Sequence, residues 1–258
     1  MSEHKAKKHF GQHFLHAPHV IERILRALNP QPGETLVEIG PGLGALTAPL
    51  VARVPALTVV ELDRDVLAPL RAACGEHADK LTVIQADALT VDFGGLAPAD
   101  GSLRLIGNLP YNISTPLLFH LLQYAGAIRD MHFMLQKEVV DRMCAAPDTD
   151  DYGRLTVTLA ARAECHNLFR VGPGSFNPPP KVDSAIVRVL PRPAPFPLGD
   201  LARYDRVVTA AFSQRRKTLS NALKPLMSAN AIRAAGVEPG LRAEVLPPEA
   251  FGRLAQQL

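Results

Sequence analysis

Long apolar runs and cysteine are the two features that this sequence has little of. No apolar stretch among its 258 residues approaches the roughly 18 residues that a membrane-spanning helix needs, and no apolar signal core follows the polar start Met1–Lys8. The three cysteines, Cys74, Cys144 and Cys165, are odd in number and far apart, which argues against a disulfide framework and a cysteine-rich zinc site. These absences predict a soluble, cytoplasmic protein.

The net charge is also small, at +3, but it is unevenly distributed. Residues 201–258 hold nine Lys and Arg against four Asp and Glu, a balance of +5, so residues 1–200 carry −2. A basic segment on a nearly neutral body is typical of a protein that meets a polyanion with one part of its surface. A solvated helix face is the alternative that charge alone leaves open.

Short β-branched runs alternate with helix-like stretches through the first two hundred residues, which predicts a mostly parallel sheet covered on both faces. The late strands lack long helical crossovers, so we expect an antiparallel edge. The predicted strands are Thr35–Ile39, Leu57–Glu61, Leu81–Gln85, Leu103–Ile106, Met131–Gln136, Leu155–Ala161 and Ala185–Leu190. The predicted helices are Pro18–Leu28, Ala45–Val54, Asp63–Cys74, Pro116–Tyr124 and Lys137–Ala145.

A proline-rich segment, Pro191–Gly199, has four prolines in nine residues and can continue neither a helix nor a central strand. It divides the chain into a predicted α/β domain over residues 1–195 and a small all-helical domain over residues 196–258. In the second domain, apolar residues recur on one face of a single predicted helix from about Tyr204 to Leu223.

Gly40, Gly42 and Gly44 form a Gly-x-Gly-x-Gly turn directly after the first long strand. Glycine lets a ligand approach the backbone where a side chain would exclude it. The spacing differs from that of dinucleotide-binding turns, and no Gly-Lys-Ser/Thr follows, so a P-loop is not expected. A tight turn without a ligand is the alternative.

Acidic residues end the next two predicted strands. Glu61 lies where a carboxylate can accept both hydroxyls of a ribose, and Asp87 lies where it can bind an adenine amine. With the glycine turn they indicate an adenosine-containing cofactor, either NAD or S-adenosylmethionine. The missing pyrophosphate fingerprint and the residues after the fourth strand favour S-adenosylmethionine. The alternatives are a helix N-cap for Asp87 and a surface charge for Glu61.

The fourth strand ends in Asn108, Leu109, Pro110 and Tyr111. An aromatic amine is a poor nucleophile, and acceptors on both of its N–H bonds favour the tetrahedral form that develops as a methyl group is transferred. The Asn108 side chain and the Leu109 carbonyl can supply those acceptors, Pro110 fixes the turn, and the Tyr111 ring can stack on the base. A turn role for Asn108 and core packing for Tyr111 are the alternatives.

With these motifs in place, the sequence resembles the KsgA-type family of ribosomal RNA small-subunit adenine dimethyltransferases over nearly its full length. The resemblance also rests on Phe10–Leu15, Met134–Val139, Tyr152–Leu155, Phe176–Ser184 and Phe212–Leu219. It implies a Rossmann-like S-adenosylmethionine-dependent methyltransferase fold and a helical RNA-binding domain. The implied reaction gives N6,N6-dimethyladenosine at two adjacent adenosines in the 3′-terminal hairpin of small-subunit (16S) RNA, within a pre-30S particle.

The resemblance also implies roles for single residues. Phe176 would be a second aromatic ring that holds the target adenine against Tyr111. His13 stands where the family usually has Asn, so its contact would be made through the backbone or the imidazole. The implied cofactor contacts are His13, Leu15, Gly40, Gly42, Glu61, Asp87 and Asn108.

Basic residues at three places are predicted to contact RNA phosphates. These are Lys7, Lys8, Lys181, Arg215, Arg216 and Lys217, the last three being assigned to the helix after the linker. The histidines at 9, 13, 16 and 19 have irregular spacing and no completing ligand, so no metal site is expected. We expect a monomer. Other interpretations are an assembly factor that binds immature subunits, or the same chemistry on large-subunit RNA or DNA.

Overall fold

The computed structural model describes residues 13–100, 102–214 and 216–258. Its strands are β1 (Phe14–Leu15), β2 (Leu36–Ile39), β3 (Leu57–Glu61), β4 (Leu81–Gln85), β5 (Leu103–Asn108), β6 (Ile128–Gln136), β7 (Ala163–Val171), β8 (Phe176–Asn177) and β9 (Ser184–Pro191). Its α-helices are α1 (Pro18–Leu28), α2 (Thr47–Val51), α3 (Leu67–Cys74), α4 (Ser114–Leu122), α5 (Lys137–Cys144), α6 (Arg154–Ala160), α7 (Leu201–Ala211), α8 (Leu219–Ala222), α9 (Ala229–Ala234) and α10 (Pro248–Ala255). None of the helices in the described ranges is long and apolar enough to cross a membrane.

The scaffold of the site is a seven-stranded sheet with the order β4-β3-β2-β5-β6-β9-β7. β2 pairs in parallel with both β3 and β5, and the pairs β3–β4 and β5–β6 are also parallel. β6 and β9 pair antiparallel, as expected for the late strands. Because the strand order reverses at β2, a crevice opens between the carboxyl ends of β2 and β5, the place where open α/β sheets bind ligands.

Two small residues allow the backbone to come close at that crevice. A side chain on Gly107 would collide with the Ile39 carbonyl on the neighbouring strand, so glycine lets β5 run tightly beside β2. Gly42 has a φ of +52°, and a Cβ there would lie 3.1 Å from the Phe14 ring. Glycine at 42 therefore serves both the left-handed turn and the close approach of the N-terminal segment.

The chain divides into two compact units. The first comprises the residues up to Val140 together with His166–Pro191, and the second comprises Asp141–Cys165 together with Arg192–Leu258. The sequence predicts two domains that are each one continuous segment, with the boundary after residue 195. In the structure, residues 141–165 belong to the same unit as the C-terminal helices.

Two secondary-structure predictions were wrong. The predicted strand Leu155–Ala161 is helix α6, because Val157 and Ala161, one helical turn apart, both pack into the core of the second unit. The single predicted helix from Tyr204 to Leu223 is split into α7 and α8. α7 ends at Ala211, and the next residue, Phe212, caps it and stacks its ring on Phe251 with centroids 5.5 Å apart.

Candidate active site

A cavity of about 960 Å³ lies in the first unit, at the carboxyl ends of β2, β3, β4 and β5. That volume is at the upper end of the roughly 300–1,000 Å³ typical of ligand pockets, so it accommodates more than one small group. The segments before α1 and after β8 complete its wall. The sequence-predicted residues that line it are His13, Leu15, Gly40, Gly42, Glu61, Asp87, Asn108, Leu109, Pro110 and Tyr111.

The glycine turn and Glu61 are joined by hydrogen bonds. The Gly42 amide donates to Glu61 Oε2 over 3.2 Å, and the Asp63 amide donates to Glu61 Oε1 over 2.8 Å. Burial raises the pKa of Glu61, and the Asp63 carboxylate adds to the rise, while these amides oppose it. The side chain is 9% exposed. Glu61 is therefore a held, buried carboxylate on the cavity wall and not a surface charge.

Asp87 is a turn cap that also lies on the cavity wall, so its binding of an adenine amine stays a prediction. Its Oδ1 accepts a 2.9 Å hydrogen bond from the Leu89 amide, so the residue caps the short turn Ala88–Thr90. It also lines the cavity. The cap occupies one lone pair of one carboxylate oxygen and leaves acceptor capacity toward the cavity.

Asn108 is oriented by the N-terminal segment. Its Nδ2 donates to the His13 carbonyl over 3.0 Å. A carbonyl oxygen can only accept, so this bond turns the amide nitrogen toward His13 and leaves the side-chain oxygen as an acceptor for another group. The Leu109 amide donates to the Met134 carbonyl at 3.2 Å, which fixes the turn to β6.

Tyr111 is held at several points. Its hydroxyl lies 2.7 Å from Ser184 Oγ on β9, and its carbonyl accepts from Ser114 Oγ at 3.1 Å. Burial raises the pKa of its phenol, so the hydroxyl stays protonated across the neutral range. The ring of His13 stacks on it, with centroids 5.8 Å apart and planes inclined by 27°. The ring is therefore a fixed aromatic surface on the cavity wall.

Phe176 lies elsewhere. Its side chain is 3% exposed and packs in the core of the first unit, and its backbone pairs with Leu15 between β8 and β1. It does not line the cavity, whereas its neighbours Asn177 and Pro178 do. In the described residues the ring stacked on Tyr111 is that of His13, and a sandwich of the base between Tyr111 and Phe176 stays a prediction.

Two cavity residues were not singled out from the sequence. Glu38, two residues before the first glycine of the turn, is 1% exposed, and its Oε2 has no hydrogen-bond partner in the described part of the chain. Burial raises the pKa of Glu38 to about 8, and the nearby Glu61 adds to the rise. Leu62 is an apolar side chain left 50% exposed on the cavity wall. A sequence signal was available for both, because Leu62 directly follows Glu61 and Glu38 lies two residues before Gly40.

The predicted RNA-binding residues are spread over the chain. Lys7, Lys8 and Arg215 lie outside the described residues. Lys181 is exposed a few residues after Pro178. Arg216 and Lys217 are exposed in the turn between α7 and α8. Their expected place on a helix was therefore wrong. Within the ranges that the structure describes, no group of three His, Cys, Asp or Glu is placed to hold a metal ion.

Comparisons with known proteins agree on one family. The sequence matches the family model for ribosomal RNA adenine dimethylase over residues 3–258. It is 54% identical over 257 residues to the ribosomal RNA small subunit methyltransferase A of Pseudomonas putida, covering 99% of this chain and 96% of that protein. The structure is similar to that of a dimethyladenosine transferase from Plasmodium falciparum, with a TM-score of 0.79, 26% identity and 94% and 96% of the two chains covered. For the 23S rRNA methyltransferase ErmE the TM-score is 0.73, with 28% identity and 95% and 99% covered.

Proposed function

The chain belongs to the ribosomal RNA adenine dimethylase family, and on that premise we propose that its cavity dimethylates two adjacent adenosines in the 3′-terminal hairpin of 16S RNA. The protein is an S-adenosylmethionine-dependent enzyme that methylates adenine N6 in small-subunit ribosomal RNA. The fold, a mostly parallel sheet with an antiparallel edge, is that of such methyltransferases. The residue roles given below extend this conclusion.

The cavity fits this cofactor in charge and in shape. S-adenosylmethionine joins an adenosine to a cationic sulfonium and an ammonium group. Glu38 and Glu61 are buried acidic side chains on the wall, and a nearby cation favours the ionised form of both. Gly40 and Gly42 keep the backbone free of side chains where the cofactor approaches.

We assign the adenosine part of the cofactor to the ends of β3 and β4. Glu61 is held by backbone amides through both oxygens, each of which retains a lone pair for a ribose hydroxyl. Leu62 offers an exposed apolar surface for the adenine ring. Asp87 has acceptor capacity for the adenine amine. When bound, the cofactor supplies an electrophilic methyl group.

The observation that carries the proposal is the orientation of Asn108. Because its Nδ2 donates to the His13 carbonyl, its Oδ1 is left to accept from the target amine. The Leu109 carbonyl supplies the second acceptor. Two acceptors hold the amine so that its lone pair is directed at the methyl group, which lowers the barrier without a strong base. Tyr111 supports the base by stacking.

The target base reaches this cavity only when it leaves its helical stack, as other base-modifying enzymes require. We assign phosphate contacts to Lys181 and to Arg216 and Lys217, all exposed, and to Lys7, Lys8 and Arg215. Structured RNA is recognised mainly through shape and phosphates, which suits basic side chains outside the cavity. We propose that the enzyme acts as a monomer on pre-30S particles in the cytoplasm.

A labelling experiment tests the proposal. Under-methylated small subunits, large-subunit RNA and duplex DNA are each incubated with the protein and tritiated S-adenosylmethionine, and the label is mapped. We expect label on two adjacent adenosines near the 3′ end of 16S RNA and none in the other two substrates. Asn108→Ala should bind the particle with unchanged Kd yet label it at least about a hundredfold more slowly. Label confined to large-subunit RNA or DNA, or a fully active Asn108→Ala, contradicts the proposal.

A further inference from the structure

His13 connects three walls of the cavity. Its Nδ1 lies 2.8 Å from the Pro178 carbonyl oxygen. Its ring stacks on Tyr111 at a centroid distance of 5.8 Å. Its own carbonyl accepts the Asn108 amide at 3.0 Å. Two of these contacts belong to the imidazole and the third to the backbone, so a change of side chain separates them.

The hydrogen bond to the Pro178 carbonyl determines which nitrogen of the imidazole carries a proton. A carbonyl oxygen only accepts, so Nδ1 must carry the proton that it donates. The hydrogen bond and the ring stack together fix the plane of the imidazole. The backbone around it is held independently, since Phe14 pairs with Asn177 and the His16 amide donates to the Ser175 carbonyl at 2.9 Å.

Tyr111 depends on a neighbour for the tilt of its ring. Ser184 holds the hydroxyl at one end and Ser114 holds the backbone carbonyl at the other. Neither bond fixes rotation about the line between them. That rotation is limited by what packs on the ring face, and in the described residues the ring stacked there is that of His13.

We infer that the imidazole of His13 is a positioning residue: it fixes the tilt of the Tyr111 ring, on which the target base stacks, by joining that ring to the carbonyl of Pro178. His13 stacks on one face of the ring, so the base is assigned to the opposite face. This inference rests on the proposed function, because it takes Tyr111 as the surface on which the base stacks. In this inference the side chain of His13 helps to position the target base, and its backbone carbonyl orients Asn108.

Single variants separate the two imidazole contacts. His13→Ala loses both, and kcat for RNA methylation should fall about tenfold, the size expected of one aromatic pair. His13→Phe keeps the ring stack and His13→Asn keeps a hydrogen-bond donor, so kcat for each of these variants should fall only about threefold. The cofactor Kd should change less than about twofold in all three, since the Asn108 bond is to the backbone. His19→Ala, an exposed histidine outside the cavity, is the matched control.

A double-mutant cycle with Tyr111 decides the inference. If His13 acts through Tyr111, His13→Ala combined with Tyr111→Ala should be no slower than Tyr111→Ala alone. Losses in kcat that multiply overturn the inference, and so does a cofactor Kd for His13→Ala that rises as much as kcat falls. A Tyr111→Ala enzyme with full activity instead defeats the proposed role of Tyr111, whatever the His13 variants do.

Discussion

The two ends of the seven-stranded sheet hold their buried charges in opposite ways. At the amino ends of the strands, Arg104 forms hydrogen bonds with Asp130 at 2.8 and 3.1 Å and with Glu34 at 2.7 Å. At the carboxyl ends, Glu38 and Glu61 are also buried, but neither forms an ion pair with a basic residue in the described ranges. At the amino end the buried carboxylate of Asp130 is paired with an arginine, whereas at the carboxyl end the buried carboxyl groups face the cavity.

The pKa directions record the same contrast. Burial alone raises the pKa of Asp130, but the hydrogen bonds and charge of Arg104 outweigh it and bring the pKa below its usual value. At the other end, burial raises the pKa values of Glu38 and Glu61, and no cation in the described ranges reverses the rise. The amino end therefore stabilises the fold, whereas the carboxyl end keeps buried carboxyl groups whose ionised form a cationic ligand would favour.

Removal of Arg104 should have the largest effect. Arg104→Met leaves Asp130, which is 0% exposed, without its main partner, and it also removes the 2.7 Å bond that satisfies the Leu28 carbonyl at the end of α1. Breaking a buried ion pair on one side costs about 3–5 kcal/mol. Chemical denaturation should show a loss of this size. Arg26→Ala, which breaks an exposed pair with Glu22, should leave the free energy of unfolding almost unchanged. Equal losses for the two variants would remove the contrast.

Replacement of Asn108, at the carboxyl end of the sheet, should reduce activity strongly and stability only slightly. Asn108→Ala should reduce kcat about 10²–10³-fold, as loss of a transition-state hydrogen-bond partner does. Its free energy of unfolding should change by only about 1 kcal/mol, for the bond to the His13 carbonyl. Single-turnover kinetics and denaturation of the same preparation check both. A variant that loses stability in proportion to its activity would make Asn108 a structural residue.

Glu38 predicts how stability depends on pH. Its pKa is about 8 when folded against an ordinary 4.5, so the folded protein retains a proton that the unfolded chain has released. The cofactor-free protein should therefore lose stability as pH rises from about 4.5 to about 8. At roughly 1.4 kcal/mol per pKa unit, the shift from 4.5 to about 8 sets an upper bound of about 5 kcal/mol on this loss.

Glu38→Gln is the matched control for this slope. The amide has the same shape and does not titrate, so denaturation at pH 5, 6, 7 and 8 should show a flatter profile for the variant. The cofactor should bind the variant more weakly, because Gln cannot take up the negative charge that a bound cation favours at Glu38. Identical slopes in the two proteins would mean that Glu38 is not the titrating group.

Lys181 should give the smallest effect, confined to RNA. Lys181→Ala should raise KM for the subunit severalfold and reduce the slope of log KM against log salt by about 1, as expected of one phosphate contact. Lys80→Ala is the control, because Lys80 directly precedes β4 at the opposite end of the sheet. Equal changes in KM for the two variants would show that RNA does not bind preferentially at the carboxyl end of the sheet.

Much of the site could be predicted because it lies at strand ends. β3 and β4 match their predicted bounds, so Glu61 and Asp87 were correctly placed at one edge of the sheet. Parallel strands bring their carboxyl ends together whatever the loops do, which is why local patterns sufficed there. The environment of Glu38 was not predicted, because burial without a counter-ion is a property of the assembled cavity.

Predictions failed where tertiary packing outweighed local preference. Leu155–Ala161 is rich in β-branched residues, yet it is helical because it packs in the core of the second unit. Strand β7 was missed, because it lies at the edge of the sheet and most of its side chains are at least partly exposed. An edge strand of this kind carries little apolar alternation to detect.

By itself, the sequence determined the chemistry available to this protein: a glycine turn, two strand-end carboxylates and the Asn108–Tyr111 segment, in an order that indicates transfer of a methyl group to an adenine amine. Only the tertiary structure decided which groups face one another. The ring stacked on Tyr111 is that of His13, and Phe176 lies in the core. The reason is physical: strand periodicity is local, whereas ring contacts and buried hydrogen bonds join residues far apart in the chain.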